Sequence, residues 1–181
     1  GTLIRDGVPS ILNPDDANAL EEALTIKDAD PDNVHVTVVS MGPPQAQDML
    51  FECLAMGADD AVLLSDRAVG GSDTWATSNA ITAAINKLGK FDMIIGGRQA
   101  IDGDTAQVGP QIAEKLHLPQ VTYVQSCELS ADKTKVTVQR QLEDGYEVIE
   151  APIPCMLTCT KELNTPRYMK MAGIFNPEKD I

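Results

Sequence analysis

The first two-thirds of the chain alternate short apolar runs with segments of helical length, and this alternation restricts the fold more than any other feature. Apolar runs at 34–41, 61–64 and 91–95 are bounded by glycine, proline or polar residues, as buried strands are. Repeated strand–helix units are typical of a parallel sheet with helices on both faces. The sequence therefore predicts an α/β fold with a three-layer, doubly wound and mostly parallel sheet.

Capping residues mark the predicted helix boundaries. Asn13-Pro14 predicts the start of the first helix, because asparagine caps helices and proline is tolerated in their first turn. Gly57 is predicted to end the second helix. Asp73 or Thr74 is predicted to cap the third helix.

Beyond residue 120 the pattern changes to alternating or β-branched segments at 121–124, 136–139 and 146–149. This pattern predicts an antiparallel β-meander attached to the edge of the parallel sheet. The apolar run at 155–159 is predicted to be one more buried strand. The tail at 164–181 has no clear period, so we expect an arm that packs locally or lies on a partner chain.

The stretch with the most specific chemistry runs from Gly96 to Gly109. A helix is predicted to begin near Asp104, with Asp104 or Thr105 as its N-cap. Free backbone N–H groups and the helix dipole at such a start favour an anionic ligand. Ligands of doubly wound sheets also collect at the carboxyl ends of strands. The loops at 65–73 and 96–105 are therefore candidate ligand loops.

Four residues in this stretch have properties that favour ligand binding. Gly97 and Gly103 allow the backbone to bend and a ligand to approach closely. Arg98 suits a forked contact with a phosphate, and Asp102 suits acceptance of hydrogen bonds from ribose hydroxyls. An ordinary strand–loop–helix connection has the same pattern, so the residues alone leave both interpretations open.

The overall charge and the cysteine content restrict the possible partners. The formal net charge of −13 argues against nucleic acid, which requires a basic surface. No apolar run approaches the roughly 18–20 residues of a membrane-spanning helix, so membrane insertion is not expected. The four cysteines match neither a zinc motif nor a redox pair, and we expect a reduced, cytoplasmic protein without a metal site.

Common catalytic and phosphate-binding motifs are missing from the sequence, including GxGxxG and the P-loop pattern. His35 and His117 do not form a pair. Residues 70–74 superficially match the pyrophosphate-binding loop of ATP-cleaving ligases. An ATP-cleaving enzyme that uses Gly70–Thr74 is therefore one alternative function, which release of pyrophosphate would reveal.

Four motifs are similar to one known family. They are Asn13-Pro14, residues 55–59, Leu163–Tyr168 and, above all, the run from Gly97 to Gly109. In these segments, and in order over essentially the whole chain, the sequence resembles the β subunit of electron-transfer flavoproteins.

The resemblance implies an α/β fold related to the adenine nucleotide hydrolase-like proteins. It also implies an α subunit as partner, which carries most of the redox flavin, and an adenine nucleotide on this chain. That nucleotide is AMP or the AMP half of a second FAD. Electrons are expected to pass from NADH through flavin to an acyl-CoA dehydrogenase, and the family provides no acid–base catalyst to assign.

The resemblance also implies a cofactor site built from several segments. Its members are Asn13, Pro14, Asp15, Asp16, Met41, Gly97, Arg98, Gln99, Ala100, Ile101, Asp102, Gly103, Asp104, Thr105, Ala106, Gln107 and Val108. Met171 falls where the anchoring apolar residue of the partner-recognition loop is expected.

Residues 65–78 look like a loop of the NADH-dependent members from anaerobes, which carry a second FAD and split electron pairs by bifurcation. This likeness favours FAD over AMP. It adds Asp66, Arg67, Gly70, Gly71, Asp73 and Thr74 to the expected cofactor site. A stand-alone adenine-nucleotide-binding module without redox work is the other alternative.

The expected division of the chain is a nucleotide-binding domain at 1–163, followed at 164–181 by the start of the partner-recognition loop and C-terminal arm. Family members begin with a strand that would precede Gly1, so we expect this chain to be a fragment of a longer subunit. The expected consequence is lower stability and weaker nucleotide binding than in the full subunit.

Overall fold

A computed structural model describes residues 10–175 and residue 181. The helices of this described part are α1 (Pro14–Ala29), α2 (Gln47–Met56), α3 (Thr74–Leu88), α4 (Val108–Lys115) and α5 (Met171–Ile174). The strands are β1 (Thr37–Met41), β2 (Asp60–Leu64), β3 (Met93–Gly97), β4 (Gln120–Leu129), β5 (Lys135–Leu142), β6 (Gly145–Pro152) and β7 (Cys155–Cys159). The part of the predicted arm at 176–180 lies outside the described residues.

The strands form two sheets. β1 and β2 pair in parallel, and the second sheet has the order β3-β7-β4-β5-β6. β7 pairs in parallel with both β3 and β4, whereas β4, β5 and β6 form an antiparallel meander. The mixed, mostly parallel α/β architecture and the edge meander are therefore confirmed.

Helices cover both faces of the sheets, in three layers. On one face, Leu20 and Leu24 of α1 pack with α2 and the β1–β2 pair. On the other face, Ile85 of α3 and Ile112 of α4 pack with the opposite side of β3 and β7. Alternate residues of a strand point to opposite faces, which is why neighbouring residues of β7 belong to different clusters.

Most predicted helix boundaries are confirmed. Asn13 precedes α1, Gly57 ends α2 with a φ of 136°, and the Asp73 side chain caps α3 by accepting a hydrogen bond from the Ala76 N–H. The run at 155–159 is a strand buried at every position, because it lies between two other strands and two helix layers.

The predicted start of α4 is wrong. The helix begins at Val108 rather than near Asp104, and neither Asp104 nor Thr105 is its N-cap. Asp104 and Ala106 have left-handed backbone angles, with φ of 50° and 53°, and such residues cannot continue a right-handed helix. The Asp104 carboxylate instead accepts a hydrogen bond from the Gln99 side chain.

The cysteines in the described part are all free, and three of the four are buried. Burial raises the pKa of Cys53 to about 11 and raises the pKa of Cys159 as well. Such thiols are poor nucleophiles and behave as small buried hydrophobic side chains. Across residues 10–175 and 181, the helices are all too short or too polar to cross a bilayer.

Candidate nucleotide site

The candidate site is a loop that leaves the carboxyl end of β3 and enters α4, residues 98–107. At its start the Arg98 N–H donates to the carbonyl of Cys159 at the end of β7, 2.8 Å away. Further along, the Asp104 N–H donates to the Ala100 carbonyl and closes a tight turn. The loop therefore lies at the carboxyl ends of two neighbouring parallel strands, where doubly wound proteins bind ligands.

The first turn of α1 holds this loop. The Asn13 amide donates from Nδ2 to the Gln99 carbonyl (2.9 Å) and accepts at Oδ1 from the Ile101 N–H (3.1 Å). Asp16 accepts at Oδ1 from the Gly97 N–H (2.6 Å) and at Oδ2 from Asn13 Nδ2 (2.9 Å). Two predicted site segments that are far apart in sequence are thus joined.

Gly97 is required by the close approach of α1 to β3. A Cβ atom at this position would lie 2.6 Å from the Asp16 nitrogen and 2.7 Å from the Asp15 carbonyl carbon. These are backbone atoms that cannot move aside as a flexible side chain would. The role of Gly97 is therefore close packing between two elements of the site.

Arg98 presents its guanidinium group at the same place. Its Nε lies 3.5 Å from the Asp15 carboxylate, which is ion-pair distance, but this buried nitrogen lacks hydrogen-bond geometry with any group in the described part of the chain. The terminal guanidinium nitrogens also make no hydrogen bond or ion pair among those residues. The Arg98 charge does reach Glu162, whose pKa is lowered by a hydrogen bond with Thr160 and, to a smaller extent, by Arg98. A cation held at one side and unpaired at its tip suits a phosphate or carboxylate ligand.

Backbone donors are also unpaired where the loop enters α4. Within residues 10–175 and 181, the N–H groups of Ala106, Gln107, Val108 and Gly109 have no hydrogen-bond acceptor. They precede or form the first turn of α4, where the helix dipole adds partial positive charge. The site thus fits an anionic group through backbone donors and one arginine, despite the acidity of the whole chain.

Acidic side chains also belong to the segments that form the candidate site. Desolvation by the surrounding protein raises the pKa of Asp16, although hydrogen bonds from Gly97 and Asn13 oppose the rise and part of the residue stays open to solvent. Asp102, Gly103 and Thr105 lie exposed along the loop. In the described part of the chain, no cluster of three or more His, Cys, Asp or Glu residues is arranged to hold a metal ion.

The structure brings only part of the 65–74 loop to this site. Thr74 lies beside the start of α4, with its Oγ1 3.0 Å from Gln107 Oε1. Asp73 uses its carboxylate to cap α3, and Asp66 accepts from the Ala68 N–H in a local turn.

Several predicted site residues have no direct link to the loop. Arg67, Gly70 and Gly71 lie in an exposed turn and, among the described residues, make no hydrogen bond or ion pair to residues 97–108. Met41 ends β1 in the other sheet and likewise has no such contact.

Two side chains at the site were missed by sequence reasoning. Gln111 donates to Thr74 Oγ1 (3.3 Å), and its buried Oε1 has no partner in the described part of the chain. Lys115 places its ammonium 3.3 Å from the centroid of the exposed Trp75 ring. Gln111 follows Gln107 by one helical turn, so helical spacing is the signal that could have revealed it.

A second region of interest is the segment at 160–175, here called the strap, which crosses α1 and α2. Asn18 of α1 donates to the carbonyl of Asn164 (2.8 Å), and Asn164 donates back to the carbonyl of Asn18 (3.0 Å). Arg167 binds Glu21 through Nε (2.8 Å) and Asp28 through a terminal nitrogen (2.8 Å).

The strap ends on α2 and leaves large apolar side chains in solvent. The Lys170 N–H donates to the Ala55 carbonyl of α2, and a Cβ at Gly173 would lie 2.7 Å from the Ala55 Cα. Met171 begins α5 and is 68% exposed, with Phe175 at 74%. Met171 therefore belongs to the strap and not to the loop at 98–107. It is part of an exposed apolar surface that a partner could cover.

Comparison with known sequences gives this arrangement a family. A profile of the electron transfer flavoprotein domain matches residues 1–179. The chain belongs to the electron transfer flavoprotein family. This result confirms the resemblance that the loop after β3 and the Leu163–Tyr168 run predicted, and the fold is of the adenine nucleotide hydrolase-like type.

Curated electron transfer flavoprotein relatives match almost the whole chain. The chain is 64% identical to the caffeyl-CoA reductase–Etf complex subunit CarD of Acetobacterium woodii, over 97% of this chain and 66% of that protein. It is 63% identical to the electron transfer flavoprotein subunit beta of Clostridium acetobutylicum, with the same coverages. The acryloyl-CoA reductase electron transfer subunit gamma of Anaerotignum propionicum is 56% identical, over 96% of this chain and 65% of that protein.

The chain spans about two-thirds of the length of the curated relatives it matches. The relatives are subunits of electron-transfer complexes, so the chain is related to proteins that work with partner subunits.

Proposed function

We propose that this chain is the nucleotide-holding part of an electron transfer flavoprotein β subunit, with FAD as its ligand. The observation that supports this most is that one strand–loop–helix segment carries both the four unpaired N–H groups at 106–109 and the Arg98 guanidinium. Such donors suit the phosphates of a nucleotide. A bound FAD would supply hydride acceptance from NADH and delivery of electrons to the partner.

The chain's own residues would then bind and orient the ligand. Arg98 and the start of α4 would hold phosphate, and Asp102 lies exposed nearby as an acceptor for ribose hydroxyls. We infer no acid or base role for any of these groups. The proposed site comprises the α1 start, the 97–108 loop and the neighbouring 66–74 turn, with Met41 at its border.

The proposed partners follow from the family and from the strap. An α subunit would complete the flavoprotein, and an acyl-CoA dehydrogenase would accept electrons, because two relatives are named as parts of caffeyl-CoA and acryloyl-CoA reductase complexes. Electron bifurcation driven by NADH and a cytoplasmic location belong to the same proposal. The exposed apolar surface around Met171 would serve partner recognition, with residues 1–163 as the nucleotide-binding domain and 164–181 as the start of the arm.

AMP is the second candidate ligand, and one observation favours it. Arg67, Gly70 and Gly71 make no hydrogen bond or ion pair to the 97–108 loop among the described residues, so the unpaired donors of that loop are positioned without them. A ligand with a single phosphate would use the loop and leave that turn free.

The test is a count of flavin and AMP in the complex. Co-expression with the α subunit, denaturation and quantification of released nucleotides should give two FAD per heterodimer. One FAD with one AMP would overturn the FAD assignment and keep the nucleotide site. One FAD without AMP would overturn the nucleotide site on this chain.

A further inference from the structure

Asn13 and Asp16 occupy positions that suit ordinary helix capping, but they perform a different task. Asn13 makes no capping hydrogen bond to α1, although it stands at the N-cap position. Among the described residues, its amide makes hydrogen bonds to Asp16 and to the loop after β3 and to no other group. An N-cap asparagine normally accepts from an N–H of its own helix, so this departure calls for another role.

The hydrogen bonds of the pair define one orientation. Asn13 Nδ2 has two hydrogens, and both are engaged, one by the Gln99 carbonyl and one by Asp16. Asp16 can only accept while ionised, so it fixes which end of the Asn13 amide carries the donors. The Oδ1 end is thereby directed at the Ile101 N–H.

We propose that Asn13 and Asp16 are positioning residues, which hold the loop from Gly97 to Ile101 in its ligand-ready form without touching the ligand themselves. This inference rests on the proposed nucleotide site and names how that site is kept in shape. We call the two residues the α1 clamp.

Two observations favour positioning over direct contact. The polar hydrogens of the Asn13 side chain are already engaged by protein acceptors, so a ligand oxygen could accept from Asn13 only by breaking the clamp. The Asp16 carboxylate is an anion beside a site whose other groups suit an anionic ligand, and like charges repel. The close fit at Gly97, where even a Cβ would collide with Asp16 backbone, leaves the loop little freedom once the clamp is made.

Hydrogen exchange in the ligand-free protein tests this directly. The variant Asn13→Asp replaces the donor end with an acceptor, which would face the Gln99 carbonyl and the Asp16 carboxylate. We expect faster exchange of the Ile101 and Gly97 amides and about a tenfold to hundredfold weaker affinity for AMP, in line with hydrogen bonds to charged groups.

A double variant gives a readout that a general loss of structure would not give. In Asn13→Asp with Asp16→Asn, the asparagine at position 16 can donate to the aspartate and still accept from Gly97. The 13–16 link, the Gly97 contact and the Ile101 contact are therefore possible again, and only the Gln99 carbonyl stays unpaired. We expect AMP affinity and amide protection between those of Asn13→Asp and the wild type.

The matched control is Asn33→Asp. Asn33 donates to Asp30 (2.8 Å) in the same three-residue spacing as Asn13 and Asp16, but away from the loop. The Asn33→Asp variant should keep wild-type amide hydrogen exchange at 97–101 and wild-type affinity for AMP. Should Asn13→Asp fold poorly, Asp16→Asn alone serves, and it should expose the Ile101 amide more than the Gly97 amide.

The outcomes separate this inference from the proposed function. Wild-type exchange in Asn13→Asp together with weaker AMP binding would mean direct ligand contact and overturn the positioning role. A double variant as impaired as Asn13→Asp would overturn it too. If the wild type binds neither AMP nor FAD, the proposed function fails, while the exchange result alone still decides for or against the clamp.

Discussion

Arg98 is the single side chain on which the proposed ligand contact depends most. Its guanidinium tip is unpaired in the described structure, and its other edge faces Asp15. The variant Arg98→Gln keeps a donor but loses the charge and the fork. We expect AMP affinity to fall about tenfold to hundredfold, the range for a charge-assisted contact.

The control for this variant is Arg140→Gln, which removes an arginine paired with Glu147 on the meander. Calorimetric titration with AMP should show wild-type affinity for it. Equal weakening in both variants would indicate a general charge effect and contradict the assignment of Arg98 to the ligand.

Gly109 tests how tightly the start of α4 is packed. A Cβ at this position would lie 2.5 Å from Thr158 Cγ2 on β7, so alanine would push the helix away from the sheet. We expect Gly109→Ala to lower the free energy of unfolding by about 1–3 kcal/mol, as overpacking does. Urea denaturation measures this, and Gly96→Ala is the control, because a Cβ added at Gly96 would meet no neighbouring atom within 4 Å. Equal stability of the two variants would refute the packing argument.

At the scale of single residues, the sequence predicts which side chains belong to the candidate site but not which groups each of them contacts. The family resemblance predicts that Asn13 and Asp16 belong to the cofactor site, and the structure adds that their side chains make hydrogen bonds to the loop. Such partners come from strands and loops more than 80 residues away in sequence. Only the fold reveals them.

The attachment of the strap to α1 should make the stability of the folded chain depend on pH. Burial acts to raise the pKa of Glu21, but hydrogen bonds and charge from Arg167 outweigh it and leave the pKa below its usual value. A hydrogen bond from Arg167 also lowers the pKa of Asp28. Both carboxyls therefore stabilise the folded chain when ionised.

The sign of the pH effect follows from these lowered pKa values. Stabilisation is complete above the unfolded pKa values of about 4 and is lost as pH falls through the lower folded values. Arg167→Gln should be less stable than the wild type at pH 7 and should lose less stability between pH 7 and 3. Urea denaturation across this range measures the difference. The control Lys135→Gln breaks an exposed pair with Glu150, and its free energy of unfolding should stay almost equal to that of the wild type. If the free energies of unfolding of Arg167→Gln and the wild type fell in parallel with pH, the account would be contradicted.

Whole elements were predicted better than their ends. Continuous apolar runs predicted β1, β2, β3 and β7, because a strand that is buried between two helix layers has hydrophobic side chains on both faces. Asp73 predicted the α3 cap for a local reason, a side chain that reaches its own helix. The late start of α4 could not be predicted, because Asp104 and Ala106 adopt left-handed angles that the surrounding fold imposes.

The strands of the described chain form two separate sheets, and this arrangement predicts that their backbone amides are protected unequally from hydrogen exchange. Among the described residues, β1 pairs only with β2, whereas β7 is flanked by β3 and β4 and is buried at every position. A two-stranded sheet is marginal without further packing, so the amides of β1 should exchange faster than those of β7. Hydrogen exchange by mass spectrometry checks this, and equal protection would show that the two sheets open as one unit.

The most direct test of the nucleotide site is a titration of this chain with FAD, followed by the emission of Trp75. Trp75 is the only tryptophan, and its neighbour Thr74 contacts the loop at Gln107. Because flavin absorbs in the range of tryptophan emission, FAD bound at 97–109 should quench Trp75 saturably. AMP should compete, and Arg98→Gln should shift the curve to about tenfold or higher FAD concentration. Absence of saturable quenching, with no heat of binding for FAD or AMP, would contradict the central claim that this loop binds an adenine nucleotide.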